Sequence, residues 1–520
     1  MSRKARKSTS SVPRRVMRVV TGIITMIVLI ALFAALMILP GPKSLIDRVQ
    51  ATTDAIDQTV SPTQSETYCP APMALADSGT YGDSEFQATV GNLATQARYA
   101  AFGSVYSASV AAFGDDSASA SSAVTLKDDD ATDEDQVKTG SEKISQGSRL
   151  IDTHMLTAEA GTGTAGSIAS WASDGDLKGV SAASCVATAL RQSFLLPSTA
   201  TGTTQQLIVA NPSTKPTTVD VSVWGSKSAG KLTMSTQSTL TVPAGGESTL
   251  ELSAAATAQD GLYATVSSKE TPIAAVVRVV SMDGLTSKGS DFAMPLGAAS
   301  NAAVASSVNE GDKATAYLFA HVDTRTELSW ITASGLVHAQ DVTVKAGQVS
   351  VVDLGDAPKG ALGVMSTAED KLFLTVKASR SGDGDQADFA LINAAQPAAY
   401  AGLALPDDVT GTITLANLSN KEAKVTIHAY DAKGHAVKSR DVTLGANAAQ
   451  AVKAADLADG DNAAVVLMVE DQDKQVGWNV RLSHDNLGDG KVAGLAAIGP
   501  TALVPSIAHV WARNDSTIVR

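Results

Sequence analysis

Apolar and polar positions alternate from Thr218 to Trp224, where Val219, Val221 and Val223 stand between Thr218, Asp220 and Ser222. This is the period of two that a half-buried strand requires. The preceding run Leu207-Ile208-Val209-Ala210 ends at Asn211-Pro212-Ser213, a strand followed by a turn. Leu240-Thr241-Val242 and Thr249-Leu250-Glu251-Leu252, separated by Pro243-Ala244-Gly245, supply a third and a fourth. Carried onward, the pattern predicts seven short strands, near 207–210, 218–224, 237–242, 248–252, 262–267, 273–281 and 291–295.

The unit recurs. At a constant offset of 206, Leu207 falls on Ile413, Asn211 on Asn417, Ser213 on Ser419, Val221 on Ile427 and Trp224 on Tyr430. At an offset of 102, Leu240, Val242, Gly245 and Leu252 fall on Val342, Val344, Gly347 and Leu354. The closing strand repeats as well: Val277 and Arg278 correspond to Val376 and Lys377, and to Val480 and Arg481. Three copies are therefore predicted, at 205–297, 314–397 and 410–500, each an antiparallel, immunoglobulin-like β-sandwich. The joints 297–312 and 398–408 permit either a rod or one compact body.

The N-terminus has a different pattern. Residues 1–18 carry Arg3, Lys4, Arg6, Lys7, Arg14, Arg15 and Arg18 with no acid, and Val19 to Leu39 carries no charge. As a helix that stretch is about 31 Å long, enough for a bilayer core of about 30 Å. The basic flank predicts a cytoplasmic tail and a single-pass anchor in the plasma membrane, with the bulk of the chain extracytoplasmic. A cleaved signal peptide is the alternative, although its apolar core would ordinarily be shorter. Residues 40–67 form a polar spacer, 68–204 a β-rich region with an acidic loop near 114–140, and 501–520 a C-terminal tail. The expected fold class is mainly β: one transmembrane helix followed by tandem sandwiches.

Charge and cysteine usage fit that sidedness. Setting aside the seven basic residues of the tail leaves 33 lysines and arginines against 53 acids, a net charge of −20. Such a surface repels nucleic acid, so no nucleic-acid partner is expected. The two cysteines, Cys69 and Cys185, would form a disulfide in an oxidising compartment.

Candidate chemistry is sparse. Gly161-x-Gly163-x-x-Gly166 has the glycine spacing of a dinucleotide loop, and Gly225-x-x-x-x-Gly230-Lys231 that of a phosphate loop. The first lacks a following helix, and the second has Leu232 where a Mg²⁺-binding hydroxyl belongs. The acidic run Asp128-Asp129-Asp130 and Asp133-Glu134-Asp135 lacks the turn glycine of a calcium loop. Asp383 with Asp385, Asp459 with Asp461, and Asp485 with Asp489 read as turn residues, and His428 and His435 as a strand residue and a loop residue. No catalytic, cofactor-binding or metal site is assigned, and no cofactor is expected. Trp224, Trp330 and Tyr430 recur at the second strand of the copies in a chain with 4% aromatic residues. The pattern reads first as rings packed at a core or an edge, and they are also the candidate contacts for a sugar face or a protein partner.

Tyr68-Cys69-Pro70, Ala182-Ala183-Ser184-Cys185 and Leu207-x-x-Ala210-Asn211-Pro212-Ser213 leading into Thr218-Val219-Asp220-Val221 resemble an actinobacterial family of membrane-anchored envelope proteins, domain of unknown function 5719. The resemblance implies an envelope location and brings no catalytic residue. The middle copy departs from it, with His321 in place of the asparagine. The expected function is non-enzymatic binding or spacing, the partner being cell-wall polysaccharide or a membrane-bound glycosyltransferase. The alternative is an envelope hydrolase or transferase using carboxylates of 68–204.

Overall fold

The computed structural model describes residues 14–38, 56–60, 62–75, 89–114, 124–126, 137–485, 487, 491–503 and 508–512. Most of the basic tail, the spacer, the acidic loop and the C-terminal tail lie outside those residues, as does Asp489. Two compact units are present, 62–506 and a smaller one made of 1–61 with 507–520.

In the smaller unit, helix α1 spans Arg14–Ile38, and strand β1 (Ile56–Val60) pairs antiparallel with a strand at Ala508–Ala512. The side chains of α1 are described over 22–34 and are exposed. Among the described residues no helix is long and apolar enough to cross a membrane; Leu39, the end of the predicted span, lies outside them.

The larger unit contains four modules of one topology. Module 1 comprises β2 (Gln64–Cys69), β3 (Ala94–Phe102), β4 (Val105–Phe113), β5 (Val124–Leu126), β6 (Lys138–Lys143), β7 (Ser148–Met155), β8 (Gly163–Ala172) and β9 (Gly179–Ser184). The short β10 (Val186–Ala187) returns to pair with β2. Module 2 comprises β11 (Arg191–Leu196), β12 (Thr203–Asn211), β13 (Thr217–Gly225), β14 (Thr239–Val242), β15 (Gly246–Glu251), β16 (Leu262–Ser268), β17 (Ala274–Asp283) and β18 (Thr286–Ala293). A single helical turn, α2 (Leu252–Ala255), follows β15. Module 3 comprises β19 (Ser300–Ser306), β20 (Lys313–Ala320), β21 (Thr324–Thr332), β22 (Gly335–Val344), β23 (Ser350–Asp356), the long β24 (Ala361–Ser381) and β25 (Ala387–Asn393). Module 4 comprises β26 (Tyr400–Ala404), β27 (Thr410–Asn417), β28 (Ala423–Tyr430), β29 (Ala436–Leu444), β30 (Ala449–Lys453), β31 (Val466–Glu470), β32 (Val476–Ser483) and β33 (Ala496–Ile498), with β34 (Thr501–Ala502) returning to β26.

In modules 1, 2 and 4, one sheet orders the strands first, sixth, third, fourth, and the other fifth, second, seventh, eighth. Module 3 keeps these pairings, but its sixth and seventh strands are the two halves of β24, which joins both sheets. An immunoglobulin constant domain pairs its first strand with its second and its seventh with its sixth. Here the first pairs with the sixth and the seventh with the second, so these two strands have exchanged sheets, and the fourth pairs with the third rather than the fifth. The predicted joints 297–312 and 398–408 contain first strands, β19 and β26, and the β-rich region 68–204 contains most of module 1.

The modules close into a ring. At the junctions after modules 2, 3 and 4, first strands β11, β19 and β26 pack on the second or seventh strands of the following module, and after module 4 that module is module 1. At the junction of modules 1 and 2, Ile208, Ala210, Ala274 and Val276 join the cluster of Tyr68, Tyr99 and Ile151. Their neighbours Leu207, Val209, Ala275 and Val277 fill module 2's own core. This second-strand sheet is therefore buried on both faces, which is why Leu207-Ile208-Val209-Ala210 is continuously apolar while β13, with one inward face, alternates. The eighth strands β9, β18, β25 and β33 meet at the centre in that cyclic order.

The charged residues of the repeat serve these junctions. Arg278 Nη2 donates to the Pro72 carbonyl at 3.2 Å and Arg481 Nη1 to the Ser307 carbonyl at 3.2 Å, each acceptor lying just past the first strand of the preceding module. Arg481 also holds the buried Asp312 at 2.6 and 3.0 Å. At the centre Asp388 Oδ2 accepts the Val180 and Leu495 N–H groups, each at 2.8 Å. Asp291 accepts Leu391 N–H at 2.8 Å and Ala182 N–H at 3.3 Å. Two buried carboxylates thus bind the eighth strands of different modules together.

The repeated asparagines work as turn residues. Asn211 Nδ2 donates to the Lys215 and Pro243 carbonyls, and its Oδ1 accepts Ser213 N–H. Asn417 does the same with Lys421, Gly445 and Ser419. Module 3 has a shorter turn there, and Asp323 Oδ1 accepts Ala346 N–H at 2.8 Å. His321 instead contacts the rings of Tyr263, Phe319 and Phe373 edge-on.

Candidate functional site in the ring-closing cleft

The junction of modules 4 and 1 is fixed from the β3 side. Arg98 is buried, and its Nε donates to the Leu405 carbonyl at 2.9 Å while Nη2 pairs with Asp407. Gln96, also buried, donates to Asp408 Oδ2 at 3.0 Å. Asp408 has φ +63°, a left-handed backbone that aspartate tolerates better than most residues. These bonds hold residues 405–409 against module 1 and form one wall of a cleft.

The cleft has a volume of about 650 Å³ and is lined by Asn92, Trp171, Ser173, Asp408, Val409, Thr410, His484 and Asp485. Trp171 is the last residue but one of β8 and His484 follows β32, so closing the ring brings together two rings that lie 313 positions apart. They stack with centroids 4.4 Å apart and planes inclined by 24°. Asn92 is oriented by Ser173, donating to its Oγ at 2.9 Å and accepting its N–H at 3.0 Å. Thr410 Oγ1 hydrogen-bonds Ser483 Oγ at 2.6 Å. Burial pushes the His484 imidazole below its ordinary pKa, against the opposing pull of the Asp408 and Asp485 carboxylates, which favours the neutral ring near pH 7.

A half-exposed Trp–His pair edged by carboxylates, an amide and hydroxyls has the chemistry that a polyhydroxylated ligand requires, apolar ring surface beside hydrogen-bonding groups. Of these residues the sequence pattern singles out only Asp485, and as a turn residue together with Asp489.

The predicted aromatic contacts lie elsewhere. Trp224 is half-buried beside Tyr263 and Phe319 at the junction of modules 2 and 3. Trp330 is 5% exposed in module 3's own core, and Tyr430 is 8% exposed in the cluster joining modules 4 and 1. Two of the three therefore pack inside rather than offering a ring to solvent, and the three share no surface.

Cys69 and Cys185 form a disulfide with Cα atoms 4.2 Å apart. Gly166 has a local reason: a Cβ there would lie 2.7 Å from Cys185 Sγ and 2.9 Å from Tyr99. The glycine-spaced motif opens β8, a strand. Gly230 donates its N–H to the Gly347 carbonyl of module 3 at 2.9 Å, so that motif is a junction turn. Among the described residues the carboxylates of 68–204 are dispersed: Glu142 pairs with Arg149, Asp152 with Gln64 and His154, and Asp176 caps Thr89 N–H. His428 and His435 also have separate partners, Glu470 and Asp431.

The profile of the Family of unknown function (DUF5719) matches residues 140–455, more than half of the 520-residue chain. The chain belongs to this family. The DUF5719 match begins inside module 1 and ends inside module 4, so it includes Trp171, Ser173 and Asp408 to Thr410 but not Asn92, His484 or Asp485. No functionally curated protein matches the chain. Among solved structures, dimeric latent PorU from Porphyromonas gingivalis shares 11% identity over 60% of this chain and 34% of its own, with a TM-score of 0.13. A glycosyl hydrolase family 2 member from Bacteroides cellulosilyticus DSM 14838 shares 10% over 78% and 36%, with a TM-score of 0.10. The DUF5719 chain thus spans about a third of the length of each, and at these scores neither likeness bears on its fold or function.

Proposed function

We propose that this DUF5719 protein is a membrane-anchored, extracytoplasmic envelope protein that binds glycan without turning it over, through the cleft between modules 4 and 1. The observation that carries this reading is the Trp171–His484 stack edged by Asp408, Asp485, Asn92 and Thr410. Its support for an extracytoplasmic setting is the Cys69–Cys185 disulfide. Support for an anchor is the basic tail preceding an uncharged stretch that is helical as far as Ile38. The closed ring favours a rigid binding body over a spacer, because a site formed between modules needs both held in place.

The test is calorimetric titration of the full chain in detergent with soluble fragments of wall glycan. Saturable binding that Trp171→Ala weakens at least tenfold, and Trp224→Ala leaves unchanged, supports the assignment. Equal binding by both variants, or none by the unaltered chain, overturns it. Chromatography of the glycan after incubation addresses the hydrolase or transferase alternative, since a binding protein returns the fragments intact. Retention of a membrane-bound glycosyltransferase instead of glycan would make the chain an accessory subunit.

A further inference from the structure

The hairpin of β21 and β22 on module 3 places two carboxylates opposite each other. Glu327 pairs in register with Asp341, and like charges facing across an antiparallel pair are destabilising. Among the described residues neither carboxylate pairs with a lysine or arginine; Glu327 pairs only with His338. The register then slips: Leu328 faces Gln340, but Ser329 faces His338, passing over Ala339. Without that bulge His338 would stand opposite Trp330, whose ring is buried in the core of module 3. The bulge turns the imidazole to the other face, beside the two carboxylates, a known use of bulges.

We infer that Glu327, His338 and Asp341 form a divalent-metal site on the outer hairpin of module 3, taking a borderline cation of the zinc or manganese kind. One nitrogen and two carboxylate oxygens suit such an ion. Their ligating atoms all lie within 4.8 Å of one another, and tetrahedral zinc needs them about 3.4 Å apart. The side chains are exposed, so modest rotamer changes close that gap, and a fourth position stays open to water. Ser329 Oγ donates to Glu327 Oε1 at 2.9 Å, the kind of outer hydrogen bond that orients a ligating carboxylate.

The experiment is titration of the full chain with Zn²⁺, and separately Mn²⁺, by calorimetry at pH 7.5, with thermal unfolding as a second readout. One equivalent is expected to bind and to raise the unfolding temperature. His338→Gln and Asp341→Asn should each weaken binding at least tenfold, and Ser329→Ala by a smaller factor. His428→Gln, at the half-buried His428–Glu470 pair, should change nothing. Binding no tighter than millimolar, or binding that survives His338→Gln and Asp341→Asn unchanged, overturns the site.

Discussion

Arg98 Nε lies 2.9 Å from the carbonyl oxygen of Leu405, 307 positions away. The acceptor is the carbonyl just past a module's first strand, the place that Arg278 and Arg481 reach at two other junctions. At the closing junction the cation comes from β3, because β8 carries no basic residue. Replacing Arg98 by methionine removes this bond and the Asp407 pair. A loss of about 2–3 kcal/mol is expected. Denaturant unfolding measures it, and proteolysis near 405–409 should rise in step.

The disulfide ties the end of β2 to the segment after β9 across 116 positions. On the chain-entropy account, opening a loop of that length costs about 4–5 kcal/mol. The Cys69→Ala, Cys185→Ala double variant should unfold at a clearly lower temperature, and reductant should have no further effect on it. An unchanged melting curve would mean that the packing of module 1 suffices alone.

Stability should respond to the carboxyls at the ring centre. Burial pushes Asp388 well above the ordinary carboxylate range, opposed by three backbone N–H donors and reinforced by the charge of Asp291. A raised folded-state pKa means that the group's contribution is fully present below about pH 4, the unfolded value. It is lost as pH rises through the folded value. The stability difference between the unaltered chain and Asp388→Asn should therefore shrink from pH 4 to pH 8, by at most about 1.4 kcal/mol per pH unit. Urea midpoints across that range test this, and a constant difference refutes it.

Trp330→Ala and Tyr430→Ala should act on folding. Both rings are buried, and deleting a large core side chain costs about 3–5 kcal/mol. Circular dichroism melts should show large shifts for both. Trp171→Ala, in a half-exposed cleft position, should melt closer to the unaltered protein while losing ligand.

Much of the strand content could be read in advance. In the first copy the strands predicted near 218–224, 262–267 and 273–281 correspond to β13, β16 and β17 at Thr217–Gly225, Leu262–Ser268 and Ala274–Asp283. A fixed offset could not detect module 1: 24 residues separate β2 from β3, and the acidic loop interrupts the segment from β4 to β6. These insertions break the spacing while preserving the pairing. The continuous apolar runs in second and seventh strands did carry a signal for two-sided burial, and hence for a compact body over a rod.

The sequence by itself determined what depends on near neighbours: strand periods, the Asn211 and Asn417 turns, the charge asymmetry around residues 19–39 and the repeat of the last three modules. Packing across the molecule set the exchange of first and seventh strands, the closure of module 4 onto module 1 and the cleft made there from Asn92, Trp171, Asp408 and His484. Local pattern fixes which face of a strand is apolar, whereas the partner covering that face is set by packing across hundreds of residues. A site assembled at such a junction has no spacing in the chain that could announce it.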